Sequence, residues 1–126
     1  MPTKDTKGEL LDAAQAMIQE RGFNAFSYKD LAEVVGIRTA SIHYHFAAKT
    51  DLALALMKRY SGELESALAV IDRPGRGARA RLERFIDLYR QTAKRGAICL
   101  CGSLGADLET LPAALRVEVA LSLIHI

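Results

Sequence analysis

The stretch from Ser27 to Lys49 constrains the fold most, because its pattern is that of two short helices joined at a glycine. Ser27 can accept a hydrogen bond from the backbone N–H three residues on, and Asp30 stands where a capping box places its acid. Gly36 can adopt the left-handed conformation that ends a helix. The sequence therefore predicts a helix, a tight turn and a second helix.

Hydrophobic spacing gives each of these two helices an inner side. In the first helix, Leu31, Val34 and Val35 share one side, which we expect to be buried. In the second, which begins near Thr39, Ile42 and Phe46 are four residues apart and point inward together. The other side chains are left outside or at the edges. In helix-turn-helix proteins such a second helix enters the major groove of DNA.

This segment resembles the DNA-binding domain of TetR-type transcriptional regulators over about residues 8–60. The motifs that carry the resemblance are Gly22-Phe23-Asn24-Ala25-Phe26-Ser27, Leu31-Ala32, Gly36-Ile37, Ile42-His43-Tyr44-His45-Phe46 and Lys49-Thr50-Asp51-Leu52. The resemblance implies an all-α fold. A tri-helical helix-turn-helix DNA-binding domain over residues 1–62 would be followed by a partial helical regulatory domain.

Three positions depart from the family pattern. Arg38 stands where the family usually has a serine N-cap, so Thr39 is expected as the alternative cap, one residue later. His43 stands where the family prefers tyrosine, so the usual tyrosine contact is not carried over unchanged. Ala47-Ala48 replaces the usual polar entry to the next helix, whose start is therefore expected to be poorly capped.

The DNA-contacting residues are predicted on the outer side of the second helix and at the neighbouring helix starts. Arg38 can bridge O6 and N7 of a guanine, and the alternative is that Arg38 and Lys49 bind phosphates alone. A ring N–H of either histidine can donate to a phosphate or a base. The full set is Ser27, Lys29, Arg38, Thr39, Ala40, Ser41, His43, Tyr44, His45 and Lys49.

Composition supports this interpretation only locally. The chain has 17 Lys and Arg against 15 Asp and Glu, a net charge of +2, so bulk charge does not predict a nucleic-acid partner. Between Glu33 and Asp51, however, there is no acid. The first residues lack the apolar core of a signal peptide, and no apolar run approaches membrane-spanning length. These two features predict a cytoplasmic protein.

Helical periodicity continues on both sides of the helix-turn-helix. It predicts a helix from Thr6 to Arg21, a long helix from Lys49 to Ile71 and, after a Pro-Gly turn, a helix from Ala78 to Lys94. The long helix would connect the DNA-binding unit to the rest of the chain. The buried side of the helix after the turn is predicted to hold Leu82, Phe85, Ile86 and Tyr89.

Cys99 and Cys101 are a second candidate pair, with two interpretations. They are either small hydrophobic residues in a core helix or a thiol sensor. For the second, Gly96 breaks the chain before Cys99, which would place its thiol near a helix N-terminus, where the thiolate is favoured. The family resemblance adds that some such regulators sense electrophiles through a cysteine in this region.

No catalytic constellation or metal-ligand spacing is present, so we expect neither an enzyme nor a cofactor. His43 and His45 are two residues apart, which turns them about 200° from one another on a helix and argues against a shared metal.

Residues 63–120 are predicted to be a truncated ligand-sensing and dimerisation domain. Residues 121–126, Leu-Ser-Leu-Ile-His-Ile, are expected to be a non-native tail.

The predicted function is that of a sequence-specific transcriptional regulator, a repressor that a small-molecule or thiol-reactive inducer releases from its operator. By the resemblance, the intact form is a homodimer on a palindromic operator in double-stranded DNA, with no membrane partner. Two alternatives stay open: a helix-turn-helix module that contacts protein, and a non-functional truncated fragment.

Overall fold

The computed structural model describes residues 5–125 and the side chains of residues 5–124. These residues form seven α-helices and no β-strand, which confirms the predicted all-α fold. The helices are α1 (Thr6–Arg21), α2 (Tyr28–Val35), α3 (Thr39–His45), α4 (Lys49–Ile71), α5 (Ala78–Lys94), α6 (Leu100–Ala106) and α7 (Ala113–His125), with 3-10 turns at Phe23–Ala25 and Leu108–Thr110. The bounds predicted for α1, α4 and α5 are those observed.

One hydrophobic core joins the helix-turn-helix to α1, α4, α6 and α7. Ile42 and Phe46 of the second helix are 0% and 4% exposed, as predicted. Both helices of the motif are therefore fixed to the same core as the rest of the chain. The fully buried side chains include Leu10, Ile18, Leu31, Leu52, Leu56, Leu100, Leu104, Leu115 and Val119.

The inner side of α2 differs from the prediction at one residue. Leu31 is fully buried, but Val34 is 65% exposed, so the prediction that Val34 is buried is wrong. The side of α2 that packs on the core is centred between Tyr28, Leu31 and Val35. At 100° per residue, Val34 lies about 90° around the helix from that centre. The neighbouring helices cover only a narrow side of this eight-residue helix.

Helix α4 connects the helix-turn-helix to the distal part of the molecule. Its 23 residues give it a length of about 35 Å. The predicted domain boundary at residue 62 falls inside this continuous helix. At its start Ala48 provides no side-chain cap, as expected, but the Asp51 carboxylate accepts the Ala48 N–H at 3.0 Å. Half of a capping box is thus retained.

The prediction of a buried side on α5 is wrong for Leu82 and Ile86, which are 61% and 49% exposed. No residue of α5 is buried, because this helix packs mainly against α4 and along one edge only. Phe85 and Tyr89 are half-buried. Between α4 and α5 lies an open apolar groove of about 670 Å³, whose walls include Leu68, Ile71, Leu82 and Phe85.

The long α4 and the apolar α7 do not resemble membrane spans. Within residues 5–125, no helix combines the length and the apolar character needed to cross a bilayer.

Candidate nucleic-acid interface

The start of α2 and the turn after it are built as the sequence predicts. Ser27 Oγ accepts the Asp30 N–H at 3.3 Å, and Asp30 Oδ2 accepts the Ser27 N–H at 2.8 Å. These bonds from the Ser27 backbone and hydroxyl hold the pKa of Asp30 below its usual value. Gly36 has φ 77° and ψ 37°, and its N–H donates to Ala32 O at 2.9 Å. The capping box and the left-handed turn are confirmed.

The N-cap of α3 is Arg38 and not Thr39, the residue that the sequence offered as the cap. Arg38 occupies the N-cap position in extended backbone, with φ −79° and ψ 149°, and Thr39 is the first helical residue. The expectation that Thr39 caps the helix is therefore wrong. Neither side chain is used as a cap, so the exposed Arg38 guanidinium stands at the entrance to α3 without a structural role there.

The outer side of α3 is an exposed polar and aromatic surface. Tyr44 is 85% exposed, an unusual position for an aromatic ring in a small domain. Its ring meets the ring of the half-buried His45 edge-on, with centroids 5.2 Å apart. The other exposed residues here are Arg38, Thr39, Ala40, Ser41 and His43. We refer to these seven residues as the α3 outer face.

Two side chains bond to the backbone where α3 ends. Tyr28 donates its hydroxyl to Phe46 O at 3.0 Å, and His43 Nδ1 lies 3.1 Å from Ala47 O. The two rings also contact one another edge-on, with centroids 4.8 Å apart. Burial and the nearby Asp51 carboxylate raise the pKa of Tyr28 to about 12, which keeps its hydroxyl protonated as a donor.

Lys49 turns away from the α3 outer face. Its ammonium donates to Phe23 O and, at 2.5 Å, to Phe26 O. It lies 4.5 and 4.2 Å from the centroids of the Phe23 and Phe26 rings, and burial lowers the pKa of Lys49. Two carbonyls and two ring faces together favour this inward position. A phosphate contact by Lys49 stays a prediction, and in this structure the ammonium is engaged with protein atoms.

The start of α2 contributes Ser27 and Lys29 beside the α3 outer face, and both are exposed. The Ser27 hydroxyl is already engaged with Asp30, donating to Oδ2 at 3.1 Å. Lys29 extends from the first turn of α2, where backbone N–H groups also favour an anion.

A further set of contacts holds the helix-turn-helix unit to α6 and the following turn. Phe23 N–H donates to Asp107 Oδ2 at 3.2 Å, and Asn24 Nδ2 donates to Thr110 Oγ1 at 2.7 Å. Ser103 Oγ donates to Ile18 O at 2.6 Å. Sequence reasoning missed these residues because their partners are 84 to 86 positions away. The one sequence signal for these contacts was Ser103, a polar residue within the apolar segment that forms α6.

The two cysteines have different environments. Cys99 is the N-cap of α6, half-buried, and its Sγ accepts the Gly102 N–H at 3.2 Å. Cys101 is fully buried with Sγ 2.9 Å from Ser122 Oγ, and burial raises the pKa of the Cys101 thiol. Cys101 therefore fits the core interpretation, and the partly exposed Cys99 is the better candidate for a reactive thiol.

Among the described side chains, no three His, Cys, Asp or Glu are grouped to hold a metal ion.

The fold and the α3 outer face define a helix-turn-helix protein with an exposed recognition-type helix. The model of the family described as bacterial regulatory proteins, tetR family, matches residues 10–56. The crystal structure of a TetR transcriptional regulator from Legionella pneumophila is 33% identical, with a TM-score of 0.89 over 97% of this chain and 67% of that one. The chain belongs to the TetR family of transcriptional regulators.

Two curated relatives are similar over most of this chain. The HTH-type transcriptional repressor KstR2 of Rhodococcus jostii is 31% identical over 91 residues, which are 68% of this chain and 45% of the relative. The HTH-type transcriptional activator FasR of Mycolicibacterium smegmatis is 27% identical over 89 residues, 71% of this chain and 41% of the relative. The chain thus spans less than half the length of these relatives.

Proposed function

We propose that this chain is the DNA-binding part of a transcriptional regulator and that α3 enters the major groove of duplex DNA. The observation that carries the proposal is the division of α3 into two sides. Ile42 and Phe46 fix its inner side to the core, while the opposite side leaves Tyr44 85% exposed among hydrogen-bonding neighbours. The proposed contacts are the α3 outer face together with Ser27 and Lys29.

Arg38 and Lys29 have separate roles in this proposal. Arg38 stands at the N-terminal end of α3, the end that usually meets base edges, and its guanidinium can bond to guanine O6 and N7. Lys29 and the first turn of α2 would meet phosphate, which positions the protein without recognising sequence. Lys49 would contribute through the position of α4.

We further propose that the intact protein is a repressor that binds a palindromic operator as a homodimer. Residues 1–62 would form the DNA-binding domain and residues 63–120 part of a ligand-sensing and dimerisation domain. The name of one relative supports repression, and that of another, an activator, makes the direction of regulation a point to test. An inducer would occupy the groove between α4 and α5, or modify Cys99, and favour a conformation that binds DNA less well.

Binding to DNA can be tested by selecting sequences from a randomised duplex pool and measuring affinity against salt. We expect log Kd to depend steeply on log salt, because phosphate contacts release counterions. Arg38→Ala should cost about 1–3 kcal/mol and relax the preference at one base pair.

Arg90→Ala is the matched control, because Arg90 is an exposed arginine on α5 whose ion pair is with Asp87 of the same helix. It should bind DNA as the wild type does. Absence of salt-dependent binding to duplex DNA would instead support a module that contacts protein.

A further inference from the structure

The neutral ring of His43 has one nitrogen available to a ligand, and the structure fixes which one. Nδ1 lies 3.1 Å from Ala47 O, and a carbonyl oxygen can only accept. Nδ1 must therefore carry the proton. In the neutral imidazole, Nε2 is then an acceptor with a lone pair.

The contact between His43 and Ala47 has a clear physical cause. Carbonyls at and just beyond the C-terminus of a helix lack intrahelical donors and need partners, and Phe46 is the C-cap of α3 with Ala47 the next residue. At the end of α3, Tyr28 satisfies Phe46 O and His43 satisfies Ala47 O. The edge-on contact between the Tyr28 and His43 rings, at 4.8 Å, holds the imidazole in this orientation.

We infer that His43 is a specificity-determining residue that accepts a hydrogen bond from an exocyclic amino group, N6 of adenine or N4 of cytosine, in the major groove. These are the hydrogen-bond donors of the major-groove edge, whereas guanine and thymine present only acceptors there. Phosphate oxygens are acceptors too and do not match the lone pair of Nε2. This inference rests on the proposed function, and it reverses the donor role that the sequence predicts for His43.

The protonation of the His43 ring can be measured without DNA or substitutions. Long-range ¹⁵N–¹H correlation spectra at about pH 8, which favours neutral imidazole, show which ring nitrogen carries the proton. We expect it on Nδ1 of His43. His45 is the internal reference, because its ring has no carbonyl partner among the described residues. A proton on Nε2 of His43 would overturn the inference.

Recognition of the amino group can be measured with modified operators. After selection of a binding sequence, each adenine is replaced by purine and each cytosine by pyrimidin-2-one, which removes the exocyclic amino group. At one position in each half-site, we expect the wild type to lose about 3-fold to 10-fold in affinity. His43→Phe, which keeps the ring against Tyr28 but cannot accept, should show no loss at that position beyond the effect on the duplex itself. Arg90→Ala on α5, outside the proposed contacts, should show the same loss at that position as the wild type.

The possible results separate this inference from the proposed function. If the wild type binds DNA selectively, but the wild type and His43→Phe lose the same affinity when the amino group is removed at every position, the inference about His43 is overturned and the proposed function stands. The same holds if His43→Phe weakens binding uniformly across sequences and lowers the salt slope by about 1, which indicates a phosphate contact. If the wild type selects no sequence, the proposed function fails and this inference fails with it.

Discussion

The backbone N–H of Phe23 donates to the carboxylate of Asp107, 84 residues further along the chain, at 3.2 Å. The carbonyl of the same residue accepts from the ammonium of Lys49 at the start of α4. The turn at Phe23–Ala25 is thus bound on one side by the segment after α6 and on the other by α4. A change at α6 can therefore reach the DNA-binding unit through this turn as well as along α4.

Replacing Asp107 by alanine should lower the free energy of unfolding by about 1–2 kcal/mol, because it leaves the Phe23 N–H without its charged acceptor. Urea unfolding followed by circular dichroism measures this loss. Glu109→Ala is the control, since Glu109 lies on the same 3-10 turn, is exposed and makes no hydrogen bond among the described residues. Equal stability of the two variants would show that the Asp107 contact contributes nothing.

Lys49→Met and Lys29→Met should change different properties: the first the stability of the fold, the second the salt dependence of DNA binding. Lys49→Met should cost about 1–2 kcal/mol of stability, because the ammonium loses two carbonyls and two ring faces, and leave the salt dependence of DNA binding unchanged. Lys29→Met should leave stability unchanged and reduce the salt slope by about 1. A reduced slope for Lys49→Met would instead show that Lys49 reaches a phosphate when DNA is bound.

The capping box of α2 should make the fold sensitive to acid. The pKa of Asp30 is lower in the folded state, so its contribution is fully present above the ordinary carboxyl pKa of about 4 and is lost as pH falls through the lower folded value. Asp30→Asn should be less stable near neutral pH and lose less stability on acidification. Urea midpoints from about pH 6 to about pH 2.5 test this.

Glu33→Gln is the control for the acid experiment, because Glu33 is exposed on the same helix outside the capping box. It should follow the wild type. If the urea midpoints of the wild type and Asp30→Asn fall in parallel as pH is lowered, the acid sensitivity does not come from Asp30.

The two thiols should react at different rates. N-Ethylmaleimide should modify Cys99 in the native protein and Cys101 only after unfolding, because Cys101 is 0% exposed and its raised pKa disfavours the thiolate. Mass spectrometry before and after urea should show one adduct and then two. Cys99→Ser should give none in the native state, and a native adduct on Cys101 would contradict this order.

Features encoded by neighbouring residues could be predicted from the sequence. The capping box of Ser27 and Asp30, the turn at Gly36 and the ends of α1 all depend on residue types within one or two turns of helix. The outward position of the α3 residues followed from the same spacing. Such signals do not require knowledge of distant partners.

Features that depend on distant partners could not be predicted. Leu82 has the spacing of a core residue, but its burial depends on which helices cover α5. The inward turn of Lys49 depends on carbonyls more than 20 residues earlier in the chain. For His43 the sequence indicated a polar contact, and only the position of the Ala47 carbonyl shows which nitrogen can make it.

Several bonds between the helix-turn-helix unit and the segment from Ile98 to Asp107, which contains α6, end on main-chain atoms. Ile18 and Gln19 contribute carbonyl oxygens, and Phe23 contributes its N–H. A main-chain atom keeps its position and chemistry when the side chain mutates. The exposed residues of the DNA-binding unit can therefore change, and with them the operator it recognises, without loss of these bonds. In an exchange of DNA-binding units between relatives these polar attachments would be kept, and the side chains to match at the junction would be mainly the buried apolar ones of the shared core.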